Sequence, residues 1–357
     1  MRAKRASTRT VYDGRWKAYA LWCTERGLCP VEAPVTEVLE YLQMLSETKK
    51  LNTVKGYITA ISARHCKVRS PGHRRKRRLS KHSALKTWLR GLEQSTHEPV
   101  VRVPPWDLEL VLSALKRPPY YPLNQASLKH LTWRTVFLVA LTSARRASEV
   151  HALRADTVQF TRSAVTVFTD DEFLPKVATR WHRNRPIELP VMHRSVDGEL
   201  RKLCVKDCLE AYLASTRVSR AATEVSQLFL CYGANKLGQA VSKQRISSWL
   251  KLLIRDCYVR MGQPPPFGVK GHQVRKQATS WADMALVDPQ KICDAALWSS
   301  DNMFARHYRL DLHHQGRAEL GRRVLQLSAS HSAEASVRSR LGPPPASARA
   351  RGRDQTS

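Results

Sequence analysis

Apolar residues recur at helical spacing along the N-terminal part of the chain, and no alternating strand pattern interrupts them. Three amphipathic helices are predicted there, the second opening at Pro34 and the third capped by Asn52. A fourth is predicted over residues 80–92. The apolar positions of the first three helices are Trp16, Tyr19, Ala20 and Cys23, then Val38, Leu39, Leu42 and Leu45, then Val54, Ile58 and Ile61. Residues 11–96 are therefore expected to form a small helical bundle.

The pattern changes after a proline-rich interval, residues 97–105, which predicts an extended linker because proline disfavours helix. Beyond it, helical patterns surround two stretches of alternating polar and β-branched residues, Ser163–Phe168 and Pro186–Leu189. These two stretches predict a small antiparallel sheet inside a second domain, residues 106–327. The whole chain is predicted to be mainly α with a small antiparallel β-sheet: a helical bundle followed by a mixed α+β domain.

The charge of the chain is its most unusual bulk property. Sixty Lys and Arg side chains against thirty Asp and Glu leave a formal net charge of +30. Such an excess indicates a polyanionic partner, with nucleic acid as the first candidate and a basic protein without chemistry as the alternative. Residues 1–10 are predicted to be a basic flexible arm, and residues 328–357 a disordered basic tail.

A run of five basic residues interrupts the bundle before its last helix. Five adjacent positive charges cannot be buried, so the run is a DNA-backbone contact, a nuclear import signal or a solvated loop. The first two roles can hold together, and an intracellular, nuclear location is expected. The residues are Arg74, Arg75, Lys76, Arg77 and Arg78.

The sequence offers little sign of metal or membrane binding. Eight cysteines are spread singly with no CxxC pair, which favours reduced thiols over a zinc site. Residues 1–10 do not resemble a signal peptide, and no apolar run approaches the ~20 residues of a membrane span. We therefore expect no cofactor, no metal, no membrane and no small-molecule substrate.

Three short motifs carry the candidate chemistry. An arginine pair and a glutamate lie in Thr142–Val150, His272 and Arg275 lie at a predicted helix start, and Tyr308 follows further on. The His-x-x-Arg spacing alone is weak evidence, because it recurs at three other places in this basic chain. The order of the motifs and the distances between them single out this set.

The residue types suit the breakage of a DNA strand through a covalent intermediate. A tyrosine hydroxyl can attack a phosphate and become linked to it. Two arginines can hold the non-bridging oxygens of the transition state, since a guanidinium offers paired donors. A lysine can protonate the leaving oxygen, and a histidine can accept the tyrosine proton. Such a scheme requires no metal.

These motifs resemble those of the tyrosine recombinase/integrase family. The family's first motif, Ala-Thr-Gly-Leu-Arg-x-Ser-Glu-Leu, is similar to Thr142–Val150, with Arg146 at the catalytic position and Arg145 where the family has an apolar residue. The spelling of residues 296–308 is most similar to recombinases of DIRS/Ngaro-type eukaryotic retrotransposons. The implied catalytic residues are Arg146, Lys176 (from a β-hairpin turn), His272, Arg275, Trp298 and the nucleophile Tyr308.

Several of these assignments leave alternatives open. The interval from Trp298 to Tyr308 is one residue longer than in the usual pattern, so either the turn carries an insertion or Ser299 aligns instead. An alignment shifted by one residue would exchange Arg145 for Arg146. Glu149 either braces an arginine or is a solvated charge.

The resemblance also implies how the molecule works. A SAM-like, core-binding helical domain and a phage-integrase-like catalytic domain would close around double-stranded DNA, as a homo-tetramer on DNA. The expected function is site-specific recombination for a eukaryotic mobile element, through a 3′-phosphotyrosyl intermediate. The alternatives are a catalytically inactive or domesticated DNA-binding relative and a type IB topoisomerase.

Overall fold

The structure is a computed structural model that describes residues 6–68, 78–96, 104–175, 185–192, 198–298, 304–305 and 309–310. The chain divides into two compact units, Met1–Val101 and Arg102–Ser357. Each unit has a hydrophobic core of its own.

The first unit is a helical bundle with an aromatic core. The ring of Tyr41 lies 5.2 Å from the rings of both Tyr19 and Trp22, centroid to centroid. Large rings stabilise a small bundle because each of them removes much apolar surface from water. The described helices of this unit are α1 (Ala6–Glu25), α2 (Val35–Thr48), α3 (Leu51–Ser62) and α4 (Ser83–Ser95).

Two helix starts in this unit differ from the prediction. Helix α1 begins at Ala6, so residues 6–10 of the expected flexible arm are helical. Polar residues can extend a helix in this way because propagation costs little once the first turn has formed. Helix α3 begins at Leu51, since the Lys50 carbonyl already accepts a hydrogen bond from the Val54 amide. Asn52 therefore lies inside the helix and does not cap it.

The second unit is organised around one buried helix, α6. Residues 131–140 of this helix are all buried, and it packs against α9, α10 and α11. The described helices of this unit are α5 (Leu108–Leu115), α6 (Leu128–Ser143), α7 (Ala147–His151), α8 (Gly198–Arg201), α9 (Val205–Thr223), α10 (Lys243–Arg260), α11 (Gln273–Met284) and α12 (Pro289–Ala296).

A small antiparallel sheet covers one side of this core. Val165 pairs with Leu189 and Val167 with Ile187, and all four side chains are buried because alternate residues of a strand face the same side. The strands, in sheet order, are β1 (Gln159–Phe160), β2 (Ala164–Val167) and β3 (Ile187–Pro190). The pattern predicted β2 and β3, but not β1, whose two exposed residues carry no alternation.

The predicted fold class is confirmed: the protein is mainly helical with a small antiparallel sheet. Among the described helices, none combines the length and the apolar character that crossing a membrane would demand. The described residues also contain no group of three or more His, Cys, Asp or Glu side chains placed to bind a metal ion.

Candidate active site

The turn between α6 and α7 places the first arginine of the candidate site. Ala144 ends α6 in the left-handed conformation, with φ +50° and ψ +27°. This conformation costs a non-glycine residue roughly 1–3 kcal/mol, and it reverses the chain directly before α7. The reversal falls on the residue that matches the glycine of the family motif. It leaves Arg146 at the N-cap position of α7.

Glu149, in the first turn of α7, binds Arg146 twice. Its Oε2 accepts a hydrogen bond of 2.9 Å from the Arg146 backbone N–H, and its Oε1 accepts one of 3.1 Å from Arg146 Nη1. A glutamate three residues after the N-cap stabilises a helix start in this way. Glu149 is only 2% exposed, so the alternative of a solvated charge is excluded.

The same carboxylate also faces the arginine of the second motif. Arg275 Nη1 lies 3.8 Å from Glu149 Oε2, and both side chains are almost completely buried. Arg275 Nη2 donates a hydrogen bond to the carbonyl of Ala296 at the end of α12. Arginines from two distant motifs therefore meet at one buried carboxylate.

Trp298 contacts this cluster from the side of α12. The Arg275 guanidinium carbon lies 4.8 Å from the centre of the Trp298 ring, within the range of a cation–π interaction. Trp298 is 5% exposed, and the Phe304 ring stacks on it at 5.7 Å. Trp298 is thus a packed core residue that also touches a candidate catalytic arginine.

His272 lies at the N-cap position of α11, one turn before Arg275. Its side chain is exposed, unlike that of Arg275. Partial desolvation, followed by the nearby charges of Lys270 and Lys276, lowers the pKa of His272 below its usual value. The neutral imidazole therefore predominates at neutral pH, and one of its ring nitrogens is able to accept a proton.

A close approach between two chain segments fixes the position of His272. A Cβ on Gly271 would lie 2.6 Å from Ser247 Oγ and 3.0 Å from the Ser247 carbonyl oxygen, on α10. We expect Gly271→Ala to lower the free energy of unfolding by about 1–3 kcal/mol, as overpacking does, and to displace His272. Urea unfolding checks this, with Gly233→Ala as the control because a Cβ there meets no atom within 4 Å. Equal losses in the two variants would contradict the expected close contact.

Tyr308 lies outside the described residues, but the residues on both sides of it are attached to the site. Phe304 stacks on Trp298, and its carbonyl accepts a hydrogen bond of 3.0 Å from the Arg309 amide. The next amide, of Leu310, donates a 2.9 Å hydrogen bond to Ser280 Oγ of α11. The chain is therefore held before and after Tyr308 by the elements that carry Arg275 and Trp298.

The other predicted site residues are only partly described. Lys176 lies outside the described residues, although Pro175, directly before it, lines a small cavity together with Glu149. In the basic run of the first unit, positions 74–77 lie outside the described residues, and Arg78 is described and exposed. The structure thus brings together Arg146, Arg275 and Trp298, with His272 one helical turn away.

Sequence reasoning missed two contributors to this geometry. Ser280 anchors the chain after Tyr308, and Gly271 allows α10 to approach the start of α11. A serine in the helix of the second motif carries no sequence signal for such a contact. The glycine directly before His272 was the only available hint of a close approach.

Comparison with solved structures identifies the fold as that of the tyrosine recombinases and integrases. In particular, the chain is similar to the Tn1549 transposon integrase in complex with transposon right-end DNA, with a TM-score of 0.56 and 14% identity over 90% of this chain and 94% of that one. It is also similar to the XerH site-specific recombinase bound to a palindromic difH substrate, with a TM-score of 0.52 and 13% identity over 82% of this chain and 70% of that one. No protein-family model matches the sequence, and no curated protein matches it significantly.

Proposed function

We propose that this protein is a site-specific DNA recombinase, an integrase that cuts and rejoins double-stranded DNA through a covalent 3′-phosphotyrosyl intermediate. One observation carries the proposal: within a recombinase fold, the buried carboxylate of Glu149 joins Arg146 to Arg275 of the His-x-x-Arg motif.

The chemistry assigns one role to each residue. The Tyr308 oxygen attacks the phosphorus, the bond to the 5′ oxygen breaks, and the phosphate is transferred to the tyrosine. His272 accepts the tyrosine proton, and Lys176 donates a proton to the leaving 5′ oxygen. Attack by another 5′ hydroxyl reverses these steps and joins a new strand. The phosphotyrosyl bond conserves the free energy of the broken phosphodiester bond, so rejoining needs no other energy source.

The two arginines stabilise the charge that develops during this transfer. Arg146 and Arg275 supply fixed paired donors for the non-bridging oxygens, and Glu149 orients both guanidinium groups before DNA arrives. Trp298 also contacts the Arg275 guanidinium through its ring face. Preorganised donors are effective because they need not reorient as the reaction proceeds.

The remaining assignments follow from the same proposal. Residues 11–96 serve as the core-binding domain, residues 97–105 as the linker, residues 106–327 as the catalytic domain and residues 328–357 as a basic tail. The active assembly is a homo-tetramer on DNA, and the basic run at positions 74–78 contacts the DNA backbone or directs nuclear import. The protein acts in the nucleus for a DIRS/Ngaro-like mobile element.

A suicide DNA substrate that carries candidate element ends tests the proposal. We expect the wild-type protein to form a covalent adduct that survives denaturing electrophoresis, and Tyr308→Phe to form none, because the phenyl ring has no nucleophilic oxygen. Tyr121→Phe, at a half-buried tyrosine elsewhere, is the matched control and keeps the adduct.

The same assay separates the competing functions. Adduct formation with exchange of strands between two duplexes supports a recombinase, whereas relaxation of supercoiled DNA without exchange indicates a topoisomerase. An equal absence of adduct in the wild-type protein and in Tyr308→Phe, on every end tested and despite DNA binding, would indicate an inactive relative.

A further inference from the structure

Arg145, the residue before Arg146, is buried with no ion-pair partner among the described residues. It is 8% exposed, and none of the described residues accepts a hydrogen bond from its Nε. No carboxylate of the described chain lies within ion-pair distance of it. Burial lowers the pKa of Arg145, an effect that the nearby Glu149 opposes and Arg185 reinforces. A buried charge in such surroundings costs free energy, so its presence requires an explanation.

A second buried arginine shows what a purely structural role looks like in this protein. Arg134 in α6 is fully buried, and its guanidinium donates hydrogen bonds to the backbone carbonyls of Leu115, Tyr120 and Lys202. Its Nε also lies 3.2 Å from Cys208 Sγ. The chain thus surrounds Arg134 with acceptors on every side, and the described residues provide no comparable set for Arg145.

The Arg145 side chain borders a small, partly enclosed cavity. Its volume of about 20 Å³ is enough for one water-sized group, and its lining includes Glu149, Arg185 and Pro175. The cavity is therefore lined by two guanidinium groups, of Arg145 and Arg185, and by one carboxylate, of Glu149. That carboxylate already pairs with Arg146 and Arg275. This charge excess favours an anion, and the volume admits a single oxygen atom.

We propose that Arg145 and Arg185 form an oxyanion site that takes a non-bridging oxygen of a DNA phosphate near the cleavage position. The proposal rests on the recombinase function proposed above. It also gives Arg145 a role that the family's apolar residue at this position does not have. Arg145 binds and positions DNA in this scheme, while Arg146 and Arg275 hold the reacting phosphate.

The variant Arg145→Leu tests the site because a ligand role and a structural role predict opposite results. In the DNA-free full-length protein, we expect an unfolding temperature that is unchanged or higher, since an unpaired buried charge is replaced by an apolar side chain. DNA affinity should fall about tenfold, the effect of one charge-assisted contact. The slope of log affinity against log salt concentration should decrease in magnitude by about one, as expected when one phosphate contact is lost. Fluorescence anisotropy with a labelled mixed-sequence duplex measures both quantities.

Two further variants control this experiment. Arg145→Lys keeps the charge and should preserve the salt dependence with a smaller loss of affinity. Arg162→Leu removes one exposed arginine between β1 and β2 and should change the DNA affinity less than twofold. All binding is measured in a Tyr308→Phe background. Adduct formation is assayed separately, in the protein that keeps Tyr308. A missing adduct there would defeat the recombinase proposal alone, and an unchanged affinity of Arg145→Leu would defeat the oxyanion site alone.

Titration with inorganic phosphate at constant ionic strength separates the two sources of the oxyanion. If phosphate raises the unfolding temperature of the wild-type protein more than that of Arg145→Leu, the site takes free oxyanions as well as DNA. If only the DNA affinity differs between the two proteins, the site is specific to the DNA backbone. A lower unfolding temperature in Arg145→Leu with unchanged DNA affinity and salt dependence would assign Arg145 to the structural core and overturn the proposal.

Discussion

Replacing Glu149 with alanine should lower the free energy of unfolding by about 3–5 kcal/mol, the usual effect of removing one member of a buried ion pair. The Glu149 side chain is 3% exposed and the Arg275 side chain 2% exposed, so water cannot replace the partner that Arg275 loses. Arg146 adds less to this loss because its side chain is 22% exposed. Urea unfolding followed by tryptophan fluorescence measures the change.

An exposed ion pair provides the control for this variant. Glu210 lies 3.9 Å from Lys206 and is 49% exposed, so Glu210→Ala should change stability by less than about 0.5 kcal/mol. A double-mutant cycle with Arg275→Met then isolates the interaction, because the second substitution removes the stranded charge. Additive effects of Glu149→Ala and Arg275→Met would show that the carboxylate does not stabilise Arg275.

Arg146→Ala should slow formation of the covalent adduct by about 100–1,000-fold, the effect of losing one preorganised transition-state donor. The loss should persist at saturating DNA, because it concerns the reacting phosphate and not the binding of DNA. Single-turnover adduct formation on the suicide substrate measures the rate.

Arg145→Ala is the matched variant for this prediction, since it removes the same side chain from the neighbouring position. We expect it to be the milder change, with a rate near that of the wild-type protein once DNA is saturating. If Arg145→Ala abolished cleavage and Arg146→Ala did not, the alignment of the first motif would be shifted by one residue. The left-handed turn at Ala144 favours the alignment with Arg146.

Local sequence patterns predicted many of the helices and strands, because the periodicity that identifies these elements depends on neighbouring residues alone. Helix α2 opens where the pattern predicted it, with Pro34 at its N-cap position and Val38, Leu42 and Leu45 of the predicted apolar face buried. The paired strands β2 and β3 follow the alternation that suggested them. Helix starts were less accurate, as α1 and α3 illustrate, because polar residues can join a helix without extending its apolar face.

The sequence by itself determined the mainly helical fold class and the order of the candidate catalytic residues, since periodicity and spacing are properties of the linear chain. Only the tertiary structure decided which residues meet. From the sequence, Glu149 could be either a solvated charge or a brace for an arginine. The structure shows it buried between Arg146 at the start of α7 and Arg275 at the start of α11. From the sequence, Arg145 was only a departure from the family motif. Its burial beside a cavity is what led us to propose an oxyanion ligand for it. Burial and partnership arise from contacts between distant segments, and no local pattern encodes those contacts.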